Sequence, residues 1–93
     1  MLTIYSKNNC GYCLQAKALL KYNDIDFDEI NIDKDSEQMQ FILSEGHRTM
    51  PQIYRDGKLF VEGGFQGLQG LGVNRIKEKL NKEVIDTSTL GGI

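Results

Sequence analysis

The sequence predicts an α/β fold: a four-stranded mixed sheet with helices on both faces, in the order β-α-β-α-β-β-α. Three observations carry that expectation. A short apolar run, Leu2-Thr3-Ile4-Tyr5, precedes an Ala/Leu-rich run from Leu14 to Tyr22, and an alternating run, Phe27 to Ile32, follows. Together they read as a strand–helix–strand crossover. Two later apolar runs flank Asp56-Gly57, the strongest short hairpin signal in the chain. A last helical stretch then closes the sheet.

The elements follow in order. Leu2 to Tyr5 is the first strand, and Ser6-Lys7-Asn8-Asn9 the loop after it. Gly11 to Tyr22 is the first helix, with Leu14, Ala18 and Leu19 at helical spacing as its apolar positions. Asn23-Asp24 ends it. Phe27 to Ile32 is the second strand. The acidic run around it, Asp24, Asp26, Asp28 and Glu29, reads as a solvated rim. Asp33-Lys34-Asp35-Ser36 offers N-caps for a second helix, Ser36 to Glu45. Met39, Ile42 and Leu43 mark its apolar face, and Gly46 stops it. Pro51 to Tyr54 and Leu59 to Val61 form the hairpin. Gly63-Gly64 is a sharp turn. A third helix runs roughly from Gly67 to Lys82, with Leu68, Leu71, Ile76 and Leu80 inward. Gly67, Gly70 and Gly72 each cost it about 1 kcal/mol against Ala. The domain spans 1–85, and Asp86 to Ile93 is a flexible tail.

Composition narrows the function classes. With 93 residues, 40% of them hydrophobic, the chain can build one core without disulfide staples. A net charge of −2 gives no basic surface for nucleic acid. The start of the chain has no signal-peptide pattern, and no stretch is apolar enough to span a membrane. Two cysteines in such a chain point to a reducing compartment, hence the cytoplasm.

Both cysteines stand in Cys10-Gly11-Tyr12-Cys13, between a strand and a helix. In that context C-x-x-C is a redox motif rather than half of a metal site. Residues i and i+3 on a helix's first turn lie about 5–6 Å apart at Cβ, so a modest tightening closes a disulfide. The free N–H groups of that turn carry partial positive charge and favour a thiolate at Cys10. Cys13 lies one turn in. The pair is therefore asymmetric: Cys10 attacks and Cys13 resolves. Full ionisation gains roughly thirtyfold in thiolate at neutral pH. A Brønsted slope of about 0.4–0.5 returns most of that gain as lost nucleophilicity. The larger benefit is Cys10 as a leaving group.

Three segments resemble the glutaredoxins, small thioredoxin-fold proteins that exchange disulfides using glutathione. Tyr5-Ser6-Lys7-Asn8-Asn9-Cys10-Gly11-Tyr12-Cys13 is similar to their active-site run. Arg48-Thr49-Met50-Pro51-Gln52-Ile53-Tyr54 is similar to their Thr-Val-Pro segment. Gly63-Gly64 is similar to the glycine pair before their last helix. The resemblance reaches from Leu2 to about Leu80. It implies a thioredoxin-like fold and a glutathione-dependent thiol–disulfide oxidoreductase acting on protein disulfides, glutathionylated proteins and small mixed disulfides. Ribonucleotide reductase is among the implied partners.

The resemblance also assigns roles. Cys10 would form the mixed disulfide with glutathione and Cys13 would resolve it. Lys7 would face the glycine carboxylate, and Tyr12 would pack along the tripeptide. The Met50 backbone would pair with its cysteinyl part, as a strand edge does. Pro51 would be a cis proline facing the cysteines. Arg48, beside Thr49, would meet the glutathione carboxylate or solvate a loop. Gly64, Phe65 and Gln66 would form the far wall, with Phe65 lining the site or plugging the sheet. His47 reads as a loop histidine. Tyr54, Phe60 and Phe27 read as core.

The chain departs from the family pattern in three places. Met50 replaces the usual valine, with no effect on a backbone contact. Gln66 stands where the family commonly offers an aspartate to the γ-glutamyl amine, although the helix N-terminus still favours the γ-glutamyl carboxylate. Gly11 gives the spelling Cys-Gly-Tyr-Cys, similar to glutaredoxins that can hold a [2Fe–2S] cluster. Two reading frames thus remain for Cys10: redox nucleophile in a monomer, or ligand of a cluster that bridges a dimer and is completed by glutathione thiols. A structural zinc site has too few ligands, since two cysteines and His47 make at most three of the four that a closed site wants.

Overall fold

The computed structural model describes residues 1–81. Four strands form one sheet in the order β2-β1-β3-β4. They are β1 (Leu2–Ser6), β2 (Phe27–Asn31), β3 (Gln52–Arg55) and β4 (Lys58–Val61). β1 pairs parallel with β2 through α1 (Gly11–Tyr22), and antiparallel with β3. β3 and β4 form the hairpin about Asp56-Gly57, both at positive φ. The mixed sheet, the crossover and the hairpin are those the sequence predicts, and the fold is thioredoxin-like.

Alternation along the strands divides the core. Leu2 and Ile4 of β1 and Ile53 of β3 join Ala16, Leu20, Ile25, Phe60, Leu68 and Ile76. Tyr5 and Tyr54, one residue further along, face the other way. They pack with Ile32 and with Ile42 of α2 (Ser36–Ser44). Period-two strands send successive side chains to opposite faces, so a helix is needed on each. α1 and the C-terminal helices cover one face and α2 the other. Asp35 caps α2, its Oδ1 accepting from the Gln38 N–H at 3.2 Å.

Three expectations need correction. The inward face of α1 is Cys13, Ala16 and Leu20, with Leu19 packed at its margin as expected, while Leu14 is 63% exposed and Ala18 is exposed. Turning Cys13 toward the body of the protein fixes the rotation of the helix and carries Leu14 outward. Leu43 likewise faces solvent, and Ile42 is the buried position of α2, with Met39 and Phe41 packed beside it.

The third correction concerns the C-terminal helix. It is two helices among the described residues. α3 spans Gly64–Leu71, the chain breaks at Gly72 (φ 85, ψ 150), and α4 covers 73–81. A positive φ cannot continue a right-handed helix, and Gly is the residue that adopts it at little cost. Ile76 is fully buried, and Leu71 and Leu80 pack against the same core. Lys82 and the expected tail from Asp86 lie outside the described residues.

Gly64 opens α3 directly against Pro51. A Cβ on Gly64 would stand 2.5 Å from the Pro51 carbonyl oxygen. A Cβ on Gly67 would collide with the Glu62 carbonyl. The glycines that weaken the helix locally are what let it lie on the β3–β4 layer.

Candidate active site

β1 ends at Ser6 and releases a three-residue loop, Lys7 to Asn9. Asn9 takes a left-handed φ of 54°. The loop is tied down at Asn8. Its N–H donates to Asp33 Oδ2 at 2.8 Å, and its side-chain oxygen accepts from Asn31 Nδ2 at 3.0 Å. Cys10 then stands as the N-cap of α1.

Cys10 and Cys13 are joined as a disulfide, with Cα atoms 5.2 Å apart. The Cys13 N–H donates to Cys10 Sγ at 3.1 Å. This is the geometry in which helix N–H groups hold a sulfur anion once the bond is opened. Exposure separates the two: Cys10 is 9% exposed and Cys13 2%. Only the first offers a path to another molecule.

The opposite wall is the loop into β3. The Met50–Pro51 bond is cis, Pro51 is buried, and the Met50 carbonyl oxygen lies 3.6 Å from Cys10 Sγ. In the reduced protein a Cys10 thiol can donate to that carbonyl. Tyr12, half exposed, stacks on Phe65 with centroids 6.1 Å apart and planes at 22°. Offset aromatic pairs of this kind contribute about 0.5–1.5 kcal/mol beyond their burial.

Between these walls lies a cleft of about 160 Å³ lined by Tyr12, Thr49, Met50, Pro51, Gly63, Gly64, Phe65 and Gln66. Seven of the nine residues that the sequence nominates for glutathione thus come together. The other two, Lys7 and Arg48, are exposed and stand outside the lining. Wider hollows lie elsewhere, one of about 430 Å³ along the acidic rim from Lys21 to Glu29, but no thiol faces it. Proximity to Cys10 rather than size selects the small cleft: Met50, one of its lining residues, holds its carbonyl oxygen 3.6 Å from Cys10 Sγ. Phe65 serves both roles left open by its sequence: it lines the cleft and packs on the core.

Two polar clusters near the site escape sequence reasoning. Ser6 Oγ and Lys17 Nζ both donate to Glu29 Oε2, at 2.7 and 2.8 Å. The Lys17 hydrogen bond, then that of Ser6, holds the Glu29 carboxyl below its usual range. Behind the Met50 loop, the Tyr54 hydroxyl donates to Glu45 Oε1 at 3.1 Å and meets His47 Nε2 at 2.7 Å. Burial, then Glu45, pushes the Tyr54 phenol up to about 12. Each cluster joins residues far apart in sequence, and no local spacing announces either.

A cysteine pair one helical turn apart, capping a helix beside a cis proline on a mixed sheet, can pass two electrons between itself and another disulfide. That defines a thiol–disulfide oxidoreductase with a C-x-x-C site. The glutaredoxin family model matches residues 2–60, and the chain belongs to that family. Among curated relatives it is 42% identical over 66 residues to the glutaredoxin-like protein NrdH of Lactococcus lactis, covering 71% of this chain and 89% of that one. It is 39% identical over 56 residues to glutaredoxin 3 of Escherichia coli, covering 59% and 68%. Among solved structures, a buckwheat glutaredoxin–glutathione complex aligns at TM-score 0.70 and 26% identity, covering 87% and 76%. NrdH-redoxin from Escherichia coli, described as having a thioredoxin-like activity profile, aligns at 0.57 and 30%, covering 58% and 71%.

Proposed function

We propose that this protein reduces protein disulfides and glutathione mixed disulfides, with glutathione as its electron donor. The observation that supports this most directly is the hydrogen bond from the Cys13 N–H to Cys10 Sγ, beside a cleft lined by Tyr12, Met50 and Pro51.

The chemistry follows from the two sulfurs. The Cys10 thiolate attacks one sulfur of the substrate disulfide. A Cys10–substrate disulfide forms, and the other sulfur leaves as a thiolate. Cys13 then loses its proton and attacks Cys10 Sγ. The Cys10–Cys13 disulfide forms, and the substrate departs with both sulfurs reduced. Two glutathione thiols reset the pair, the first forming a mixed disulfide at Cys10 and the second releasing oxidised glutathione. Tyr12, Thr49, the Met50 backbone, Pro51 and the Gly64-Phe65-Gln66 segment would hold the tripeptide along the cleft. Lys7 and Arg48 would reach its carboxylates from outside. Among protein substrates, ribonucleotide reductase is the candidate the family resemblance supplies, and a reducing cytoplasm is the fitting compartment.

A second reading replaces glutathione by a protein electron donor, giving a thioredoxin-like activity profile. The cleft favours it in one respect: none of its eight lining residues carries a charged side chain. Glutathione carries two carboxylates and an amine that such a lining leaves to solvent, to Lys7 and to Arg48.

A [2Fe–2S] cluster bridging two copies of the chain would take Cys10 of each copy and two glutathione thiols as ligands, and would require the Cys10–Cys13 bond to be open. Among the described residues no group of three or more His, Cys, Asp or Glu side chains gathers elsewhere.

The deciding experiment is turnover of a glutathione mixed disulfide coupled to glutathione reductase, beside turnover of a protein disulfide coupled to thioredoxin reductase. Glutathione dependence predicts the first to be robust. Turnover in the second assay alone would establish the protein-donor reading instead.

A further inference from the structure

Glu29 touches neither cysteine, yet one of its oxygens holds both ends of the segment that contains them. Oε2 accepts from Ser6 Oγ at 2.7 Å and from Lys17 Nζ at 2.8 Å. Ser6 precedes Cys10 by four residues (10 − 6), and Lys17 follows Cys13 by four (17 − 13). Ser6 closes β1 and is 1% exposed, so its hydroxyl has a fixed direction. Lys17 stands one turn beyond Cys13 on the same side of α1, as residues i and i+4 do. Its side chain is 20% exposed, drawn in toward the sheet. Glu29 itself is anchored on β2, opposite Ile4 of β1.

We infer that Glu29 is a positioning residue for the redox pair: by clamping strand end and helix flank to one oxygen, it keeps the reduced Cys10 and Cys13 close to the separation at which they bond. The inference rests on the thiol–disulfide activity of the site and is independent of which molecule supplies the electrons.

The clamp acts differently on the two redox forms. In the oxidised protein the Cys10–Cys13 bond already fixes the turn, so the clamp adds little order there. After reduction that tether is gone, and the turn is held by hydrogen bonds alone. Loosening it lowers the effective concentration of one sulfur at the other, in the way that any intramolecular step weakens when its ends are freed. Ring closure becomes less favourable, and reductive ring opening correspondingly more favourable. The reduction potential of the pair therefore rises when the clamp is removed. A change confined to folding would instead destabilise both forms alike and leave the potential where it was.

The test is the equilibrium of the full chain with dithiothreitol. The protein disulfide and reduced dithiothreitol give the Cys10 and Cys13 thiols and oxidised dithiothreitol, with two electrons and two protons transferred. Glu29→Ala should shift this equilibrium toward the protein dithiol by about three- to tenfold, the scale of the net contribution of one ordinary hydrogen bond. Tenfold corresponds to about 30 mV for a two-electron couple. Glu29→Gln keeps an acceptor oxygen and should shift it less. Lys17→Met, on the helix flank, should move it in the same direction, and it decides the matter should Glu29→Ala fail to fold. An unchanged equilibrium constant, with melting temperatures of both redox forms lowered equally, would overturn the inference.

Discussion

The main-chain N–H of Cys13 donates to Sγ of Cys10 at 3.1 Å, so the buried cysteine stabilises the outer one before it ever attacks it. Cys10 is 9% exposed and Cys13 2%, and the proposed order, Cys10 attacking and Cys13 resolving, rests on that difference.

Cys10→Ser should therefore abolish every activity. Cys13→Ser should lose reduction of protein disulfides, yet retain exchange with glutathione mixed disulfides, where a second thiol from solution replaces it. The paired assays check this. In the reduced wild type, iodoacetamide at mildly acid pH should label Cys10 and spare Cys13, because a thiolate is needed and only one sulfur is both capped and accessible. Mass spectrometry of the labelled peptide reads the outcome, and labelling of Cys13 first would reverse the assignment.

Gln66 lines the cleft with a neutral side chain. Gln66→Asp restores a charge opposite the γ-glutamyl amine. A charge-assisted hydrogen bond contributes about 1.5–3 kcal/mol against about 1 for a neutral one, so KM for a glutathione mixed disulfide should fall by up to about tenfold. kcat should change little, since Gln66 exchanges neither sulfur nor proton in the proposed reaction. An unaltered KM would count against glutathione lying along this wall.

Gly64 and Gly67 are set by contact rather than by flexibility. Gly64→Ala places a methyl group against the Pro51 carbonyl at a φ of 59°, and Gly67→Ala places one against the Glu62 carbonyl. Neither obstacle is a side-chain end that can swing aside. Overpacking of this kind costs about 1–3 kcal/mol, occasionally more. Urea midpoints should fall for both. Gly70→Ala, with open space at its Cβ, should be neutral or stabilising by up to about 1 kcal/mol.

Tyr54 gives the protein an alkaline limit. Its phenol is pushed from 10.0 up to about 12. Across that interval the folded chain keeps the proton that the unfolded chain has given up. The associated stability is whole below pH 10 and is lost as pH rises toward 12. Two pH units correspond to about 2.7 kcal/mol as an order of magnitude. Burial raises the Tyr5 phenol as well, with the same sign. Urea unfolding should therefore weaken steeply between about pH 10 and 12. Tyr54→Phe should flatten most of that slope, and should lower stability at neutral pH by about 1–2 kcal/mol through the lost hydrogen bond to Glu45. Glu29 acts in the opposite sense: its contribution is present above its unfolded pKa and disappears as acid brings pH down through the depressed folded value.

The framework was legible because its signals are local. A turn residue pair such as Asp56-Gly57 dictates a hairpin through its own φ angles, and C-x-x-C before an apolar helix dictates a capped redox pair through helix geometry. Pro51 and Gly64 were nominated from motif resemblance, and the fold brings them into contact. The rotation of α1 departs from expectation at Leu14 and Ala18, which are exposed while Leu19 packs against the core, because Leu14, Ala18 and Leu19 satisfy helical spacing as well as Cys13, Ala16 and Leu20 do. Hydropathy ranks the first set higher, and only the sheet beneath the helix chooses between them. The stretch from Gly67 reads as one helix for a related reason: its three glycines weaken it alike in sequence, and only the fold gives one of them, Gly72, the positive φ that breaks it.

The sequence by itself determined the order of the elements, the redox pair and its asymmetry, because each depends on neighbours a few residues apart. Tertiary structure alone decided which face of α1 is buried, how Ser6, Lys17 and Glu29 share one oxygen, and how the Tyr54 hydroxyl joins Glu45 to His47. Those contacts bridge separations of 23, 12, 9 and 7 residues. They exist only after strand pairing and helix docking have fixed the distances, and hydrogen bonds depend too steeply on distance and angle to be read from a one-dimensional pattern.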